Sequence, residues 1–207
     1  MLQTLTERLF DDGDRADLDP FAVFEEWFAL AKEAELNDAN AMALATVDSE
    51  GLPDVRVVLL NTRDARGFGF FTNFESEKGR QLQAHPKAAA VFHWKSLRRQ
   101  IRLRGPVEVV APHEADAYFA SRPVGSQIAS SASQQSRALD SRETLIKRVA
   151  RLTEEVGEGP VTRPPHWSGF RIVPTSIEFW KDGQYRLHDR VRFTREGDAW
   201  ASSRLYP

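Results

Sequence analysis

Between residues 41 and 110 the chain alternates short apolar runs with turn-forming clusters, and this rhythm restricts the possible folds more than any other feature. The run from Ala41 to Val47 precedes Asp48-Ser49-Glu50-Gly51. The run 55–61 precedes Asp64-Ala65-Arg66-Gly67, after which 68–73 resumes the apolar pattern. Runs this short, broken by Asp, Ser and Gly, read as strands joined by tight turns. Two such units in succession predict an antiparallel meander. Further strands are expected over 88–95, 99–110, 169–173, 176–181 and 186–194. The predicted fold is mainly β with peripheral helices, a barrel of six to eight strands.

Helices frame these strands. Asp19-Pro20 reads as an N-cap followed by proline in the first turn, and Phe21, Phe24, Phe28 and Ala31 recur at helical spacing to about Glu35. That aromatic stripe is expected to pack in the core. Ser76 should cap a short helix ending at His85-Pro86. More helix is expected over 112–120 and 140–155, where Asp140 and Glu143 have capping-box spacing. Residues 1–18, with Asp11, Asp12, Asp14 and Asp17, read as a mobile acidic leader ahead of one domain over 19–207.

Composition narrows the function. Lys and Arg total 28 against 30 Asp and Glu, a balance that argues against a nucleic-acid partner. The absence of cysteine excludes disulfides, thiolate nucleophiles and Cys-ligated metals. No apolar run approaches the ~20 residues of a membrane helix, and a cytoplasmic protein with no membrane partner is expected. Gly67-Phe68-Gly69 lacks the third glycine of a dinucleotide fingerprint. The five histidines show no metal-binding spacing, so no metal is expected.

What remains is a set of cations suited to phosphate. In an extended strand Arg186, His188 and Arg190 would share one face, a crowding of positive charge comfortable beside water or an anion. Gln100, Arg102 and Arg104 share a face opposite Ile101 and Leu103, which reads first as a solvated sheet face. Tyr118, Arg122 and Ser126 fall at helical spacing, although Pro123 should break the helix between them. Arg56 opens an apolar strand, Lys78 lies in the first turn after Ser76, and Gln135-Ser136 lies in a polar segment. Helix starts and guanidinium forks both suit phosphate. Two separate sets suggest a phosphorylated cofactor and a phosphorylated substrate.

The segments Arg56-Val-Val-Leu-Leu, Phe71-Thr72-Asn73, Ser76-Glu77-Lys78, Arg99-Gln100, Ser121-Arg-Pro123, Gln135-Ser136, Glu178-Phe-Trp180, Arg186-Leu-His-Asp-Arg190 and Arg204-Leu-Tyr-Pro207 occur in an order that resembles the pyridoxine/pyridoxamine 5′-phosphate oxidases. The resemblance covers roughly 20–207. It implies an FMN-binding split barrel working as a homodimer, with FMN between subunits. FMN would be held by Arg56, Val57, Val58, Leu59, Leu60, Phe71, Thr72, Lys78, Gln100, Gln135, Ser136, Trp180 and Arg190. Asn61, Tyr118, Arg122 and Ser126 would hold the substrate, and Arg186 and His188 would meet its ring as catalytic residues. The implied reaction oxidises pyridoxine or pyridoxamine 5′-phosphate to pyridoxal 5′-phosphate, with O2 as acceptor and hydrogen peroxide as product.

The chain also departs from that family. Asn61 stands where a lysine is usual, Glu77 where a basic residue is common, Phe71 for tyrosine and Val124 for arginine. Ile128-Ala-Ser-Ser-Ala lacks the usual Gly-Ala-Trp. These changes gather at the substrate's phosphate end. They leave two alternatives: a related flavin oxidase of another aromatic substrate, as in phenazine pathways, or a non-catalytic carrier of FMN or pyridoxal phosphate.

Overall fold

The computed structural model describes residues 3–13 and 15–207. Asp14 of the expected leader, with residues 1 and 2, lies outside the described residues. In chain order the elements are α1 (Leu5–Phe10), α2 (Pro20–Ala34), β1 (Ala41–Val47), β2 (Pro53–Leu59), β3 (Thr62–Asp64), β4 (Gly67–Asn73), α3 (Glu77–Ala84), β5 (Lys87–Trp94) and β6 (Arg99–Val109). They continue with α4 (Pro112–Ser121), α5 (Val124–Ala132), α6 (Arg142–Val156), β7 (Trp167–Ile172), β8 (Ser176–Lys181), a 3₁₀ turn (Gln184–Arg186), β9 (Asp189–Glu196) and β10 (Ala199–Arg204).

The class is the predicted one, mainly β with helices outside, but the described residues form ten strands in one branched sheet. Its main path runs β10-β9-β8-β6-β5-β1-β2, and a branch leaves β6 through β7 to β4 and β3. The long strand β6 is the fork. Arg99 to Arg104 pair with β8, whereas Val107 to Val109 pair with β7. Gly105 permits the change of partner, because a Cβ there would lie 2.0 Å from the Val173 carbonyl oxygen. Beyond β2 the chain bonds back to β4, Asn61 N–H donating to Gly69 O at 2.9 Å, so the sheet curls toward its own start.

Helix α2 covers the apolar face. The Asp19 carboxylate accepts from Phe21 N–H (3.0 Å) and Pro20 opens the first turn, the predicted start. Phe24 meets Phe68 of β4 edge-on at 4.8 Å and Phe92 of β5 at 5.3 Å, while Trp27 meets Phe179 of β8 at 5.3 Å. One helix thus joins both branches, and each fully buried ring contributes roughly 1.5–3 kcal/mol.

Several expectations need correcting. The segment read as a leader carries a capped helix, buries Leu9 and Leu18, and accepts a bond from Trp27 Nε1 at Thr6 Oγ1 (2.8 Å). Its apolar residues outweigh its aspartates in deciding where it sits. The last long helix is capped by Ser141, which accepts from Thr144 N–H at 3.1 Å, and not by Asp140. Strands β3 and β10 and helix α5 were not foreseen. The strand expected from residue 186 begins at Asp189, because Tyr185 and Arg186 have φ of +56° and +67° and so turn the chain. Arg186 therefore does not share a strand face with Arg190. No helix among the described residues is long and apolar enough to cross a membrane.

Candidate functional site

The cationic residues form two groups. The first lies where β2, β4, α3 and the α4–α5 junction meet. Ser76 caps α3, its hydroxyl accepting from Gly79 N–H at 3.2 Å, and this sets Lys78 in the first turn. The Lys78 side chain is buried, and its bonded partners are all neutral oxygens: Gln135 Oε1 (3.0 Å), Thr72 Oγ1 (3.2 Å) and Ser76 Oγ (3.4 Å). Burial pushes its pKa down, Arg56 lowers it further, and Asp54 opposes both. Arg56 is placed on β2 opposite Leu44. It pairs with Asp54, donates to Thr46 and donates to Gln81 Oε1 at 3.1 Å. Two cations strain one another here, and an anion between them would relieve both.

Beside this group opens a cleft of about 370 Å³, lined by Phe71, Thr72, Arg122, Ser126, Ser130 and Trp167 among others. That volume suits a small-molecule site. Phe71 stacks on Tyr118 at 4.2 Å and on Trp167 at 5.3 Å. Arg122 sits at the break between α4 and α5, donates to Ser130 Oγ at 2.8 Å and lies 5.1 Å from the Trp167 ring. Burial lowers its pKa and Tyr118 opposes the shift. The stripe Tyr118–Arg122–Ser126 therefore straddles a helix end, as Pro123 implied. Asn61 belongs to the wall: it donates to Tyr118 Oη at 2.6 Å and accepts from Phe71 N–H at 3.1 Å. Ser136 occupies an exposed turn at φ +71° after α5.

The second group lies on the outward face of the main path. Gln100, Trp180 and Arg190 are register neighbours across β6, β8 and β9. Arg190 donates to Glu178 Oε1 (2.7 and 2.9 Å) and to Tyr206 O (2.7 Å). The His188 ring lies 4.6 Å from Trp180, at the end of the turn that carries Arg186. That turn is tight: a Cβ on Gly183 would lie 1.9 Å from Leu187 O.

One chain does not bring the two groups together. β2 is three strand positions from β6 and five from β9, about 14 and 24 Å at ordinary spacing. They also face opposite ways, since Arg56 pairs with core-facing Leu44 while Gln100 and Trp180 alternate with core-facing Ile101 and Phe179. Val57 and Leu59 are exposed on β2, whereas Val58 packs on the core and Leu60 is buried. Sequence reasoning missed Ser130, Trp167 and Asp182 as neighbours of the candidate residues. Ser130 stands four residues after Ser126, a spacing that becomes informative once α5 is recognised.

Comparison with known proteins places the whole chain in a family. A pyridoxamine 5′-phosphate oxidase family model matches residues 30–155, and a pyridoxine 5′-phosphate oxidase C-terminal dimerisation region matches 167–207. A pyridoxine/pyridoxamine 5′-phosphate oxidase of Allorhizobium ampelinum is 58% identical over 94% of this chain and 96% of its own length. Its counterpart in Azorhizobium caulinodans is 61% identical over 91% of this chain and 90% of its own. Among solved structures, PhzG from Burkholderia lata in complex with tetrahydrophenazine-1-carboxylic acid superposes with a TM-score of 0.87, at 34% identity over 96% of each chain. An FMN-binding protein from Nostoc punctiforme, at 17% identity over 92% of this chain and 100% of that one, shares the fold with a TM-score of 0.74. By the extent of these matches, the chain belongs to the pyridoxamine 5′-phosphate oxidase family of oxidoreductases.

Proposed function

We propose that this chain, as a homodimer, binds FMN and oxidises pyridoxine or pyridoxamine 5′-phosphate to pyridoxal 5′-phosphate, with O2 taking the electrons and leaving as hydrogen peroxide. The buried Lys78 ammonium, bonded only to neutral oxygens beside Arg56, carries this reading. Asp54 serves Arg56 but does not bond Lys78, and a flavin phosphate is an anion that would give the buried ammonium a direct partner. The donor set fits the rest of the group: Thr72, Gln135 and Ser136 offer polar contacts near that phosphate, and the backbone of 56–60 forms a sheet edge. When bound, FMN would supply the acceptor for a hydride from the substrate's C4′ carbon.

The protein's own residues bind and orient. Arg122, Ser126 and Tyr118 would hold the substrate phosphate at the far end of the cleft, Arg122 by its guanidinium fork. Arg186 and His188 would meet the ring and hold negative charge on its phenolate oxygen. Gln100, Trp180 and Arg190 would frame the flavin from the second subunit, since one chain keeps them away from Arg56. The dimer reading rests on the dimerisation-region match and on β2, an edge strand exposing Val55, Val57 and Leu59. An exposed apolar edge calls for a cover.

The test is to load the protein with FMN, confirm the flavin spectrum, and supply pyridoxamine 5′-phosphate in air. Peroxide and aldehyde should appear together, and a saturated flavoprotein that makes neither contradicts the reading. A second reading, oxidation of a different aromatic compound, draws on Asn61. Its amide closes on Tyr118 and Phe71 and extends no cation toward a phosphate. Flavin reduction by a non-phosphorylated ring compound alone would select it.

A further inference from the structure

We propose that Asp182 is a positioning residue for His188, and that Arg98 clamps it in place. The inference rests on the reading of His188 as a ring-binding residue, but its geometry is independent of that reading. His188 Nδ1 has two neighbours at the same distance. Gly183 N–H donates to it at 3.2 Å, and Asp182 Oδ1 lies 3.2 Å away. A single ring nitrogen cannot serve both. To accept from Gly183 it must be bare, and to donate to Asp182 it must carry a proton. The two contacts therefore stabilise different forms of one ring. With Nδ1 bare, the neutral ring keeps its proton on Nε2. With Nδ1 protonated, the ring is either the neutral Nδ1–H tautomer or a cation, and Asp182 accepts from Nδ1–H in both. Passage between them needs no rotamer change, only an exchange of partner at one atom.

The surroundings fix this arrangement. Asp182 pairs with the Arg98 guanidinium, and its N–H donates to Arg98 O at 3.1 Å. Arg98 stands in the β5–β6 turn at φ +51°, so the hairpin itself delivers the clamp. Trp180 packs on the imidazole, and both His188 and Asp182 are largely enclosed, with side chains 15% and 18% exposed. Arg186 lies on the same turn, and Arg204, which lines the cavity that His188 opens into, is paired with Asp189 at 3.3 Å, so Asp182 is the carboxylate that meets the ring itself. With Nδ1 bare or with the ring charged, Nε2–H points out to donate to a substrate oxygen, more strongly when charged, whereas in the neutral Nδ1–H tautomer Nε2 accepts instead. Asp182 thus fixes the orientation in which His188 holds the substrate ring, a positioning effect that is read in kcat.

The experiment compares Asp182→Asn, Asp182→Glu and Arg98→Gln with the parent FMN-loaded enzyme. Asp182→Asn should lower kcat roughly tenfold, the scale of one charge-assisted hydrogen bond, with KM changed less than about twofold. Asp182→Glu should restore most of kcat, and Arg98→Gln should show a smaller loss in the same sense. In parallel, ¹⁵N spectra of histidine-labelled protein, with His188 assigned from His188→Gln, report which ring nitrogen carries the proton. The Nδ1-protonated share should fall in Asp182→Asn and persist in Asp182→Glu. An unchanged ring spectrum and unchanged kcat in Asp182→Asn would overturn the proposal. If Asp182→Asn does not fold, Arg98→Gln gives the same two readouts. Parent enzyme inactive on every vitamer would defeat the functional reading instead, while the spectra would still decide the pairing.

Discussion

The cleft beside Lys78 and the outward row of Gln100, Trp180 and Arg190 are built on different principles. Helix starts, a helix break and aromatic stacking enclose the cleft, and its cations are already bonded within the chain. The row is aligned by strand register, with Arg190 held by Glu178 and the Tyr206 carbonyl, and lies along a sheet face. An enclosed site can select an anion by itself. An open row acts only when something is laid across it. On the proposed reading, one small chain carries the parts of two half-sites, and a second copy completes each.

The sharpest way to break this contrast is at the β2 edge. Val57→Asp should raise the dimer dissociation constant by about a thousandfold, because burying an unpaired carboxylate costs several kcal/mol. Sedimentation velocity reads the result, and the isolated chain should lose flavin along with its partner. A variant that stays dimeric would remove β2 from the interface.

Next comes Lys78→Met. It should weaken FMN roughly a hundredfold by fluorescence titration, yet stabilise the flavin-free protein. The sign follows from the lowered pKa. Folded Lys78 releases its proton at lower pH than the unfolded chain does, so flavin-free stability rises as pH climbs through the window just below the ordinary lysine range. Below that window both states hold the proton and the full penalty applies. Denaturation midpoints across this window should slope upward in the parent and flatten in Lys78→Met.

Arg122→Ala tests the other end of the cleft. KM for a phosphorylated vitamer should rise about ten- to thirtyfold while FMN affinity stays within twofold. Equal losses of both ligands would merge the two phosphate sites into one. The smallest effect expected is at Asn61. Asn61→Lys should lower KM for the phosphorylated substrate about two- to fivefold, a gain reduced by the lost bonds to Tyr118 and Phe71. An unchanged KM would place position 61 away from that phosphate.

Much of this was legible in the sequence, for identifiable reasons. Strands at 41–47 and 176–181 stand out because turn residues bound them, and α2 and α3 because Asp19 and Ser76 cap them. The turn at Tyr185 and Arg186 stayed hidden because neither residue is a glycine, although both have positive φ. Helix α5 was hidden by Pro123, which ends one helix and begins another. The leader misled through its aspartates, although Leu5 and Leu9 have the spacing of a helical face. Register across β6, β8 and β9 is a long-range property, and no local pattern announces that Gln100, Trp180 and Arg190 align.

The fork in β6 links the two regions mechanically. Gly105 touches neither the cleft nor the row, yet it is the hinge pin on which both wings of the sheet are hung. A methyl group added there would push against the backbone of Val173 and disturb the wing ending in β4 together with the wing ending in β9. If the proposed roles hold, an injury at this remote spot would imitate simultaneous damage to cofactor grip and ring chemistry, and a screen for lost activity would wrongly file it among the binding residues.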